Sequence, residues 1–397
     1  MNILVIHETE YINKAIFEYQ IIPEIWASRG NNVYVIDFEN EWCRNGIFDF
    51  ISRTRILKNI KKAGKKKGVT LIRPGFLKAP ILDRLSASIS HYFAIREAIK
   101  KYKIEVVFLY SVPTNGLQAI YLAKRHNIPV HFRLLDVLNQ LVPHKIFSKP
   151  TYLMEKLAYP KVNELTAITS KLAKYAISLG AKKATTSYLP TGPDDDLFKF
   201  APPNQKLRQK LGLNKGDQVI TFAGTLYNFS GLDKILKYYA RHRDRYKNLK
   251  FLIIGRGQQE KELKSIVQDN DLSDNVVFTG FIQYENLADY INLSNICINP
   301  FERNKITEII FPSKIYQYLA CQKPVIATRL PGLIDLFPDN GGKNNIYYFD
   351  LRHPREFFEL LKKIDKIDKF KIKEACLSLA EIASILEKNL LELSRRS

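Results

Sequence analysis

Short, continuous apolar runs alternate with longer amphipathic stretches along most of the chain. Residues 3–6 and 33–36 are compact apolar runs, and residues 12–28 between them have helical periodicity and end at Arg29-Gly30. Apolar runs of this length are typical of parallel strands that are buried on both faces. The order of these elements predicts a β-α-β start and an α/β fold with a doubly wound parallel sheet.

The same alternation returns in the second half of the chain. Residues 308–328 predict a loop, a helix, a turn and a strand, because Pro312 suits the first turn of a helix and Pro324 cannot continue one. Ser313 and Gln317 are four residues apart and share a polar face of that helix. Further strands are predicted at residues 218–223, 251–254, 296–299, 325–328 and 346–349.

The length of 397 residues predicts two domains. The polar stretch at residues 200–216 is typical of a linker, so we place the first domain at residues 1–200 and the second at residues 201–375. A final amphipathic helix is predicted within residues 376–397. Its apolar stripe has spacings of three and four residues and consists of Leu379, Ile382, Leu386, Leu390 and Leu393.

Composition narrows the classes of protein without choosing one. The formal net charge of +21 favours an anionic partner, which includes nucleic acid, lipid headgroups and phosphorylated substrates. The four cysteines are scattered without a CxxC pair, which suits a reducing compartment and predicts no metal framework. We find no apolar run long enough for a membrane span and expect no signal peptide at the N-terminus.

A basic cluster lies at residues 53–67. Its members, with no acid among them, are Arg53, Arg55, Lys58, Lys61, Lys62, Lys65, Lys66 and Lys67. Ile51, Ile56, Leu57 and Ile60 are interleaved, so residues 51–62 predict a basic amphipathic helix on an anionic membrane surface. A solvated loop is the alternative interpretation of the same residues.

The stretch at residues 308–328 resembles the signature of retaining, nucleotide-sugar-dependent glycosyltransferases of family 4, which reads P-x-K-x-x-E-Y-L-A-x-G-K-P-V-I-A. It departs from that pattern at Gln317, where the family usually has Glu, and at Gln322, where it often has Gly. Residues 164–170, 188–198 and 275–281 are similar to other family segments. The residues that match the signature are Pro312, Lys314, Tyr318, Leu319, Ala320, Lys323, Pro324, Val325, Ile326 and Ala327.

The resemblance implies the GT-B fold, with two facing Rossmann-like domains and a C-terminal helix that crosses back to the first. It implies retaining transfer of a sugar from a nucleoside-diphosphate sugar, bound mainly by the second domain, to a hydroxyl acceptor. The acceptor is expected to be a lipid-linked or surface-polysaccharide glycan at the cytoplasmic face of a membrane. No metal, no other cofactor and no nucleic acid are expected.

The resemblance also implies a donor site. Thr225 and Ser230 stand where the family has the Arg and Lys that neutralise the diphosphate, and Gln317 stands where a Glu holds the ribose. Arg303, Lys305 and Lys314 are candidates to replace the missing charges. The predicted donor-binding residues are Gly224, Thr225, Ser230, Arg256, Gly280, Phe281, Lys305, Ile309, Ile310, Phe311, Pro312, Ser313 and Gln317.

Three residues are the candidate catalytic groups. Glu308 is one residue from the position of the family's sugar-facing acid, which falls on Ile309. Asp136 ends a predicted strand where the family often has His-Asp. Arg133 lies on that strand and is a candidate to replace the missing His.

Other interpretations stay open at this point. The departures from the family pattern also fit a catalytically impaired GT-B protein that acts as a binding partner or scaffold in glycan assembly. A sugar-nucleotide epimerase on the same fold and, from the charge alone, a nucleic-acid-binding protein are further alternatives. Asp194, Asp195 and Asp196 invite a metal site, but their Pro/Gly-rich context favours a turn with helix-capping carboxylates.

Overall fold

The computed structural model describes residues 1–39, 43–44, 47–80, 82–142, 145–308, 311–364 and 377–396. The chain forms two compact units. Unit 1 is Met1–Thr191 with Leu379–Ser397, and unit 2 is Gly192–Ser378. Unit 2 begins before the predicted boundary at residue 200 because Phe198 is buried in its core.

Unit 1 is built on an eight-stranded sheet with the order β10-β9-β8-β7-β1-β2-β6-β5. All neighbouring strands are parallel except β5, which runs antiparallel to β6. The predicted parallel sheet is therefore confirmed. Its strands, with the short β3–β4 hairpin outside the sheet, are β1 Asn2–Ile6, β2 Asn32–Ile36, β3 Cys43–Arg44, β4 Ile47–Phe48, β5 Arg55–Ile60, β6 Val69–Arg73, β7 Val106–Leu109, β8 Val130–Leu134, β9 Glu164–Ala167 and β10 Thr186–Tyr188.

The helices of unit 1 cover both faces of this sheet. The chain moves one way from β1 to β2 and the other way from β6 to β7 and onward, so right-handed crossovers put α1 on one face and α2, α3 and α5 on the other. The helices are α1 Glu18–Ser28, α2 Leu82–Tyr102, α3 Gly116–Arg125, α4 Leu138–Leu141, α5 Ser148–Ala158 and α6 Ser170–Ser178.

The C-terminal helix returns to unit 1, as the resemblance implies. Helix α14 (Leu379–Arg396) packs on α1, and the Trp26 indole Nε1 donates a hydrogen bond of 2.9 Å to the Ala383 carbonyl. Its predicted stripe is buried, because Ile382, Leu386 and Leu390 all face the unit.

The predicted basic helix at residues 51–62 is wrong. Residues 55–60 form the edge strand β5, whose Arg55 and Ile56 pair with Arg73 and Ile72 of β6. Its residues are half-buried or exposed, and the exposed ones are Ile56, Lys58 and Asn59, as expected of a strand at the edge of a sheet. The β-branched residues between the charges gain a ladder of hydrogen bonds with β6, which an isolated basic helix would not have.

Unit 2 has a six-stranded parallel sheet with the order β13-β12-β11-β14-β15-β16. Helix α7 (Gln205–Lys210) lies in the predicted linker, and Leu213 after it is buried in the core of this unit. The strands are β11 Gln218–Ala223, β12 Leu249–Ile254, β13 Val276–Gly280, β14 Ile296–Asn299, β15 Val325–Thr328 and β16 Ile346–Phe349. The remaining helices are α8 Leu232–His242, α9 Glu260–Asp269, α10 Tyr284–Asn292, α11 Lys314–Ala320, α12 Pro331–Leu336 and α13 Pro354–Ile364.

The helix and strand predicted within residues 308–328 are confirmed as α11 and β15. The hydroxyl of Tyr318 on α11 accepts a hydrogen bond of 2.7 Å from the backbone N–H of Ala223, so the helix is fixed at the end of β11. Gln322 has a φ of 54° at the turn after the helix. That left-handed conformation is one that glycine adopts most easily, and it is the position where the family often has Gly.

Gly231 offers a stability test of the turn before α8. Its φ is 70°, and a Cβ there would overlap the Pro300 carbonyl and lie 2.7 Å from Leu351 Cδ2. We expect Gly231→Ala to lower the free energy of unfolding by about 2–4 kcal/mol, from backbone strain and overlap together. The matched control is Gly212→Ala, which has a φ of 66° but nothing within 4 Å. Equal melting temperatures for the two variants would contradict the overlap.

Candidate functional site

The crevice of unit 2 lies between β11 and β14, where the strand order changes direction. From β11 the chain adds strands on one side of the sheet, and from β14 on the other. Ligands of open α/β sheets bind beyond the carboxyl ends of the strands at such a point. Gly224 follows β11 here, and a Cβ on Gly255 would overlap the Gly224 carbonyl. The loops after β11 and β12 therefore pack backbone against backbone.

Lys314 reaches into this crevice from the start of α11. Its Nζ lies 3.7 Å from the ring centroid of Phe222 and 4.4 Å from that of Phe301. The stem is partly exposed, but Nζ itself is buried and makes no hydrogen bond with any described residue. Burial holds the pKa of this amine well below its usual value. A buried amine without a hydrogen-bond partner would be stabilised in its charged form by an anion that enters the crevice.

Gly224 leaves room for this amine. A Cβ at position 224 would lie 3.1 Å from Lys314 Nζ, and Gly224 has a φ of 138°. The predicted donor-binding residue Gly224 and the family-matching Lys314 thus lie side by side. The sequence placed Lys314 in the signature but indicated neither its burial nor its missing partner.

The two positions that lack the family charges have different surroundings. Thr225 is exposed. Ser230 is buried, and its hydroxyl donates a hydrogen bond of 2.5 Å to the side-chain oxygen of Gln259. Ser230 therefore ties the loop before α8 to the start of α9, and its hydroxyl is used inside the protein.

Arg256, Gly280 and Phe281 lie together at the ends of β12 and β13. The Gly255 N–H donates to the Gly280 carbonyl at 2.9 Å, and the Arg256 Nε lies 3.4 Å from where a Gly280 Cβ would be. The side chains of Arg256 and Phe281 are exposed, with Phe281 at 60%. Both side chains are accessible beside the crevice.

The segment before α11 contains Glu308, the carboxylate predicted to face the sugar. Glu308 and Lys305 are exposed, and Glu308 accepts a hydrogen bond of 3.0 Å from Arg303 Nε. Ile309 and Ile310 lie outside the described residues. Arg303, a candidate to replace a missing phosphate charge, is instead paired with this carboxylate.

The remaining predicted donor residues lie just before α11 or on it. Phe311 and Pro312 are buried and Ser313 is half-buried. Gln317 is half-buried and hydrogen-bonds the Tyr284 hydroxyl. The amide of Gln317 thus faces a polar neighbour, and it retains both a donor and an acceptor for a ligand hydroxyl.

In unit 1, Asp136 lies just beyond β8 and is half-buried. Desolvation raises its pKa to about 7, and no described residue provides a hydrogen bond or an opposite charge. A carboxyl group that titrates near neutral pH is suited to proton transfer.

Asp136→Asn tests this environment through stability. The raised pKa means that the folded protein binds more protons than the unfolded chain between pH 3.8 and about 7, so the wild type loses stability as pH rises through that window. We expect the variant to be about 1–3 kcal/mol more stable than wild type at pH 8 and equal to it below pH 4. Urea unfolding at both pH values measures the difference, and an equal gain at both would contradict the raised pKa.

Arg133 is fully buried on β8. Its Nε donates to Glu18 at 2.6 Å, and its Nη1 donates to the Leu189 carbonyl at 2.6 Å. Its Nη2 donates to the second Glu18 oxygen and to the Pro190 carbonyl. These bonds give Arg133 a structural role, because they join β8 to α1 and to the segment after β10.

Sequence reasoning missed Glu8, which lies at the carboxyl edge of unit 1 where the strand order changes direction between β1 and β7. Its carboxylate accepts hydrogen bonds from the backbone and hydroxyl of Thr114 and from Arg84. Burial raises its pKa. Neighbouring His7 is buried, and burial lowers its pKa to about 4, so it is neutral at physiological pH. No spacing in the sequence connects Glu8 with Thr114, because only the pairing of β1 with β7 brings them together.

Two kinds of feature are absent from the residues that the structure describes. Within these ranges, no three His, Cys, Asp or Glu side chains are grouped as a metal site would need. None of the described helices combines the length and apolar character needed to cross a membrane.

Comparisons with known proteins agree with this architecture. Residues 203–369 match the family model for glycosyl transferases group 1. The fold resembles that of Anabaena HepE, solved in complex with UDP and glucose, with a TM-score of 0.67, 15% identity and coverage of 99% of this chain and 97% of that chain. The sucrose-phosphate synthase of Thermosynechococcus elongatus gives a TM-score of 0.64 at 16% identity, covering 100% of this chain and 96% of that one.

Curated relatives are similar over part of their length. The 2-deoxystreptamine glucosyltransferase of Streptomyces kanamyceticus is 26% identical over 46% of this chain and 46% of its own. The alpha-monoglucosyldiacylglycerol synthase of Streptococcus pneumoniae is 24% identical over 61% of this chain and 56% of its own. The chain thus spans about half the length of these curated relatives. Residues 203–369 therefore resemble the glycosyl transferases group 1 family, and the chain has the GT-B fold.

Proposed function

We propose that the protein is a retaining glycosyltransferase that moves a sugar from a nucleoside-diphosphate sugar to a hydroxyl group of a glycan. The family model and the names of the relatives support sugar transfer. The complexes of HepE with UDP and with UDP-glucose support a nucleotide sugar as the donor. The Streptococcus relative makes a glycolipid by its name, which supports a lipid-linked or polysaccharide acceptor.

The observation that carries the proposal is the buried amine of Lys314 in the crevice of unit 2, where the strand order changes direction between β11 and β14. A diphosphate there would provide the counter-charge that Nζ lacks among the described residues. The ion pair would replace one of the two charges that the family places at positions 225 and 230. Arg256, exposed beside the same crevice, is the second cation we assign to the donor.

The proposed reaction exchanges one bond for another at the anomeric carbon. The acceptor oxygen forms a bond to that carbon, and the bond from the carbon to the diphosphate oxygen breaks. The products are the glycoside, the nucleoside diphosphate and the proton lost by the acceptor hydroxyl. Negative charge develops on the diphosphate as its bond breaks, so a protonated Lys314 would lower the barrier electrostatically.

Two carboxyl groups are proposed for the remaining roles. Glu308 would face the sugar and would exchange its contact with Arg303 for one with the ligand. Asp136, with a pKa of about 7, would accept or hold a proton on the acceptor side. We propose that the residues suffice without a metal, and that the protein works at the cytoplasmic face of a membrane.

A panel of ligands tests the proposal. Thermal unfolding is measured with UDP-, GDP- and ADP-sugars and with the free diphosphates, each with and without Mg²⁺. A ligand that binds only the folded state raises its stability, by about 2.7 kcal/mol at 100 times its Kd. Stabilisation by one nucleotide is the expected result. If no nucleotide stabilises a well-folded protein, the donor site is not there.

A second candidate function has its own observation. Ser230 is bonded inside the protein and Thr225 carries no charge, so two cations of the family pattern are absent. This favours a catalytically impaired GT-B protein that acts as a binding partner or scaffold in glycan assembly. Binding of the nucleotide without release of free sugar or product in the presence of acceptor extracts would favour this candidate.

A further inference from the structure

Large exposed apolar side chains are unevenly distributed between the two units. Of the twenty-one among the described residues, seventeen belong to unit 1 and four to unit 2, although the units are of similar size. Single exposed apolar residues are ordinary, but a concentration of them marks a surface that contacts something apolar. We therefore expect some of the exposed apolar side chains of unit 1 to contact an apolar partner.

Helix α2 carries the most regular part of this surface. Leu82, Leu85, Ile89 and Phe93 follow one another at spacings of three and four residues and are between 51% and 64% exposed. The opposite face of the helix packs inward through Ala87, His91 and Ile95. The helix is thus apolar on both faces, and the sheet covers only one of them.

The apolar row continues from α2 onto the neighbouring edge of the sheet. Ile51 pairs with Leu77 in an isolated bridge, and the Leu77 N–H donates to the hydroxyl of Ser86 near the start of α2. Ile56 of β5 and Phe93 line one cavity of about 280 Å³ between the strand and the helix. We name this region the α2–β5 surface, and its exposed apolar members are Ile51, Ile56, Leu77, Leu82, Leu85, Ile89 and Phe93.

Positive charge borders the α2–β5 surface. Arg53 and Lys58 are exposed at β5, and Arg96 is exposed on α2. Lys61, Lys66 and Lys67 are also exposed, but their turn is bonded to α1 through the N–H of Ala63 and the carboxylate of buried Glu24, so it lies toward the other face of the sheet and does not belong to this border. The acids Asp83 and Glu97 lie on α2, near Arg84 and Lys101 respectively. The excess charge is positive.

We propose that unit 1 docks on an anionic lipid bilayer through the α2–β5 surface. The apolar row of α2 enters the boundary between headgroups and acyl chains, and the bordering Arg and Lys side chains meet the lipid phosphates. A second copy of the chain fits less well, because a symmetric contact would bring the same basic border against itself. This inference does not depend on the proposed transferase activity.

Vesicle sedimentation tests the surface. The full chain is mixed with vesicles of phosphatidylcholine alone or with about one part in three of phosphatidylglycerol. We expect binding to the anionic vesicles that weakens as salt is raised. The variant Leu85→Ser/Ile89→Ser is expected to bind at least about tenfold more weakly, because it removes two buried aliphatic contacts with the lipid.

The matched control is Ile385→Ser/Leu391→Ser on α14, whose exposed fractions are 38% and 37% and whose helix lies on the opposite face of the sheet. It should bind like wild type, and both variants should keep the wild-type melting temperature because the changed residues are exposed. Absence of vesicle binding overturns the proposal, and so does equal loss in both variants. Equal binding to neutral vesicles overturns the role of the charges. Concentration-dependent dimers that only the α2 variant loses would identify a second copy as the occupant.

Discussion

Replacing Lys314 with Met is expected to weaken nucleoside-diphosphate binding by about 10- to 150-fold, because a hydrogen bond to a charged group contributes about 1.5–3 kcal/mol. Met keeps the length of the stem and its packing against Phe222 and Phe301. Isothermal titration with the nucleotide that stabilises the wild type measures the change. Turnover should fall at least as much, because the charge on the leaving diphosphate is larger in the transition state.

The folded variant should be as stable as wild type or more so. The pKa of Lys314 is lowered by burial, so the unfolded chain binds more protons than the folded protein between that lowered pKa and 10.5. The stability of the ligand-free wild type therefore rises with pH through this window, and the variant lacks this contribution. Unchanged nucleotide affinity in a well-folded Lys314→Met would remove Lys314 from the donor site.

Proton uptake provides an independent check on the same residue. Binding of a diphosphate stabilises the ammonium form, so the wild type should take up a proton on binding when the pH lies between the free and the bound pKa. Titration in buffers with different ionisation enthalpies measures that proton. The affinity should also fall as pH rises through the same window, and Lys314→Met should show neither effect.

Replacing Arg133 with Met is expected to lower the free energy of unfolding of unit 1 by about 3–5 kcal/mol, because Glu18 is left as an unpaired buried carboxylate. The Leu189 and Pro190 carbonyls lose their donors as well. Thermal and urea unfolding, followed by a probe in unit 1, measure the loss.

Two comparison variants test whether the loss of stability comes from the buried ion pair and not from the removal of any positive charge. Lys101→Met breaks an exposed pair of the same unit, with 3.9 Å between Lys101 Nζ and Glu97, and should change stability by less than about 1 kcal/mol. The double variant Arg133→Met/Glu18→Leu removes both charges and should recover part of the loss. A single variant as stable as Lys101→Met would show that the buried pair contributes nothing.

The pattern of apolar and polar residues predicted the central strands correctly, but it predicted the wrong element at the edge of the sheet of unit 1. The apolar runs that predicted β1, β11 and β15 are confirmed, because a strand buried on both faces needs continuous apolar residues. Residues 51–62 misled because their apolar residues fit the spacing of an amphipathic helix, although residues 55–60 form an edge strand. Pairing with β6, which lies beyond a loop, decided the outcome.

The candidate site shows the same division. The ordered residues of the 312–327 signature predicted the similarity to glycosyltransferases and the helix α11, since both depend on residues that are adjacent in sequence. The roles of single charged residues depend on neighbours that are distant in sequence. Arg133 became structural because Glu18 and the 189–190 carbonyls surround it. Lys314 became a buried amine with no hydrogen-bond partner among the described residues because Phe222 and Phe301 enclose it.

By itself, the sequence determined the α/β class, the two largely parallel sheets, the final helix and the resemblance of residues 203–369 to glycosyltransferases. These features follow from the spacing of apolar residues and from ordered motifs, and both depend only on residues that are close together in the sequence. Only the tertiary structure decided which charges are buried, which are paired, and that the exposed apolar residues of α2 and β5 share one surface. Burial and pairing depend on contacts between distant segments, and they set the desolvation that moves the pKa of Lys314 and of Asp136.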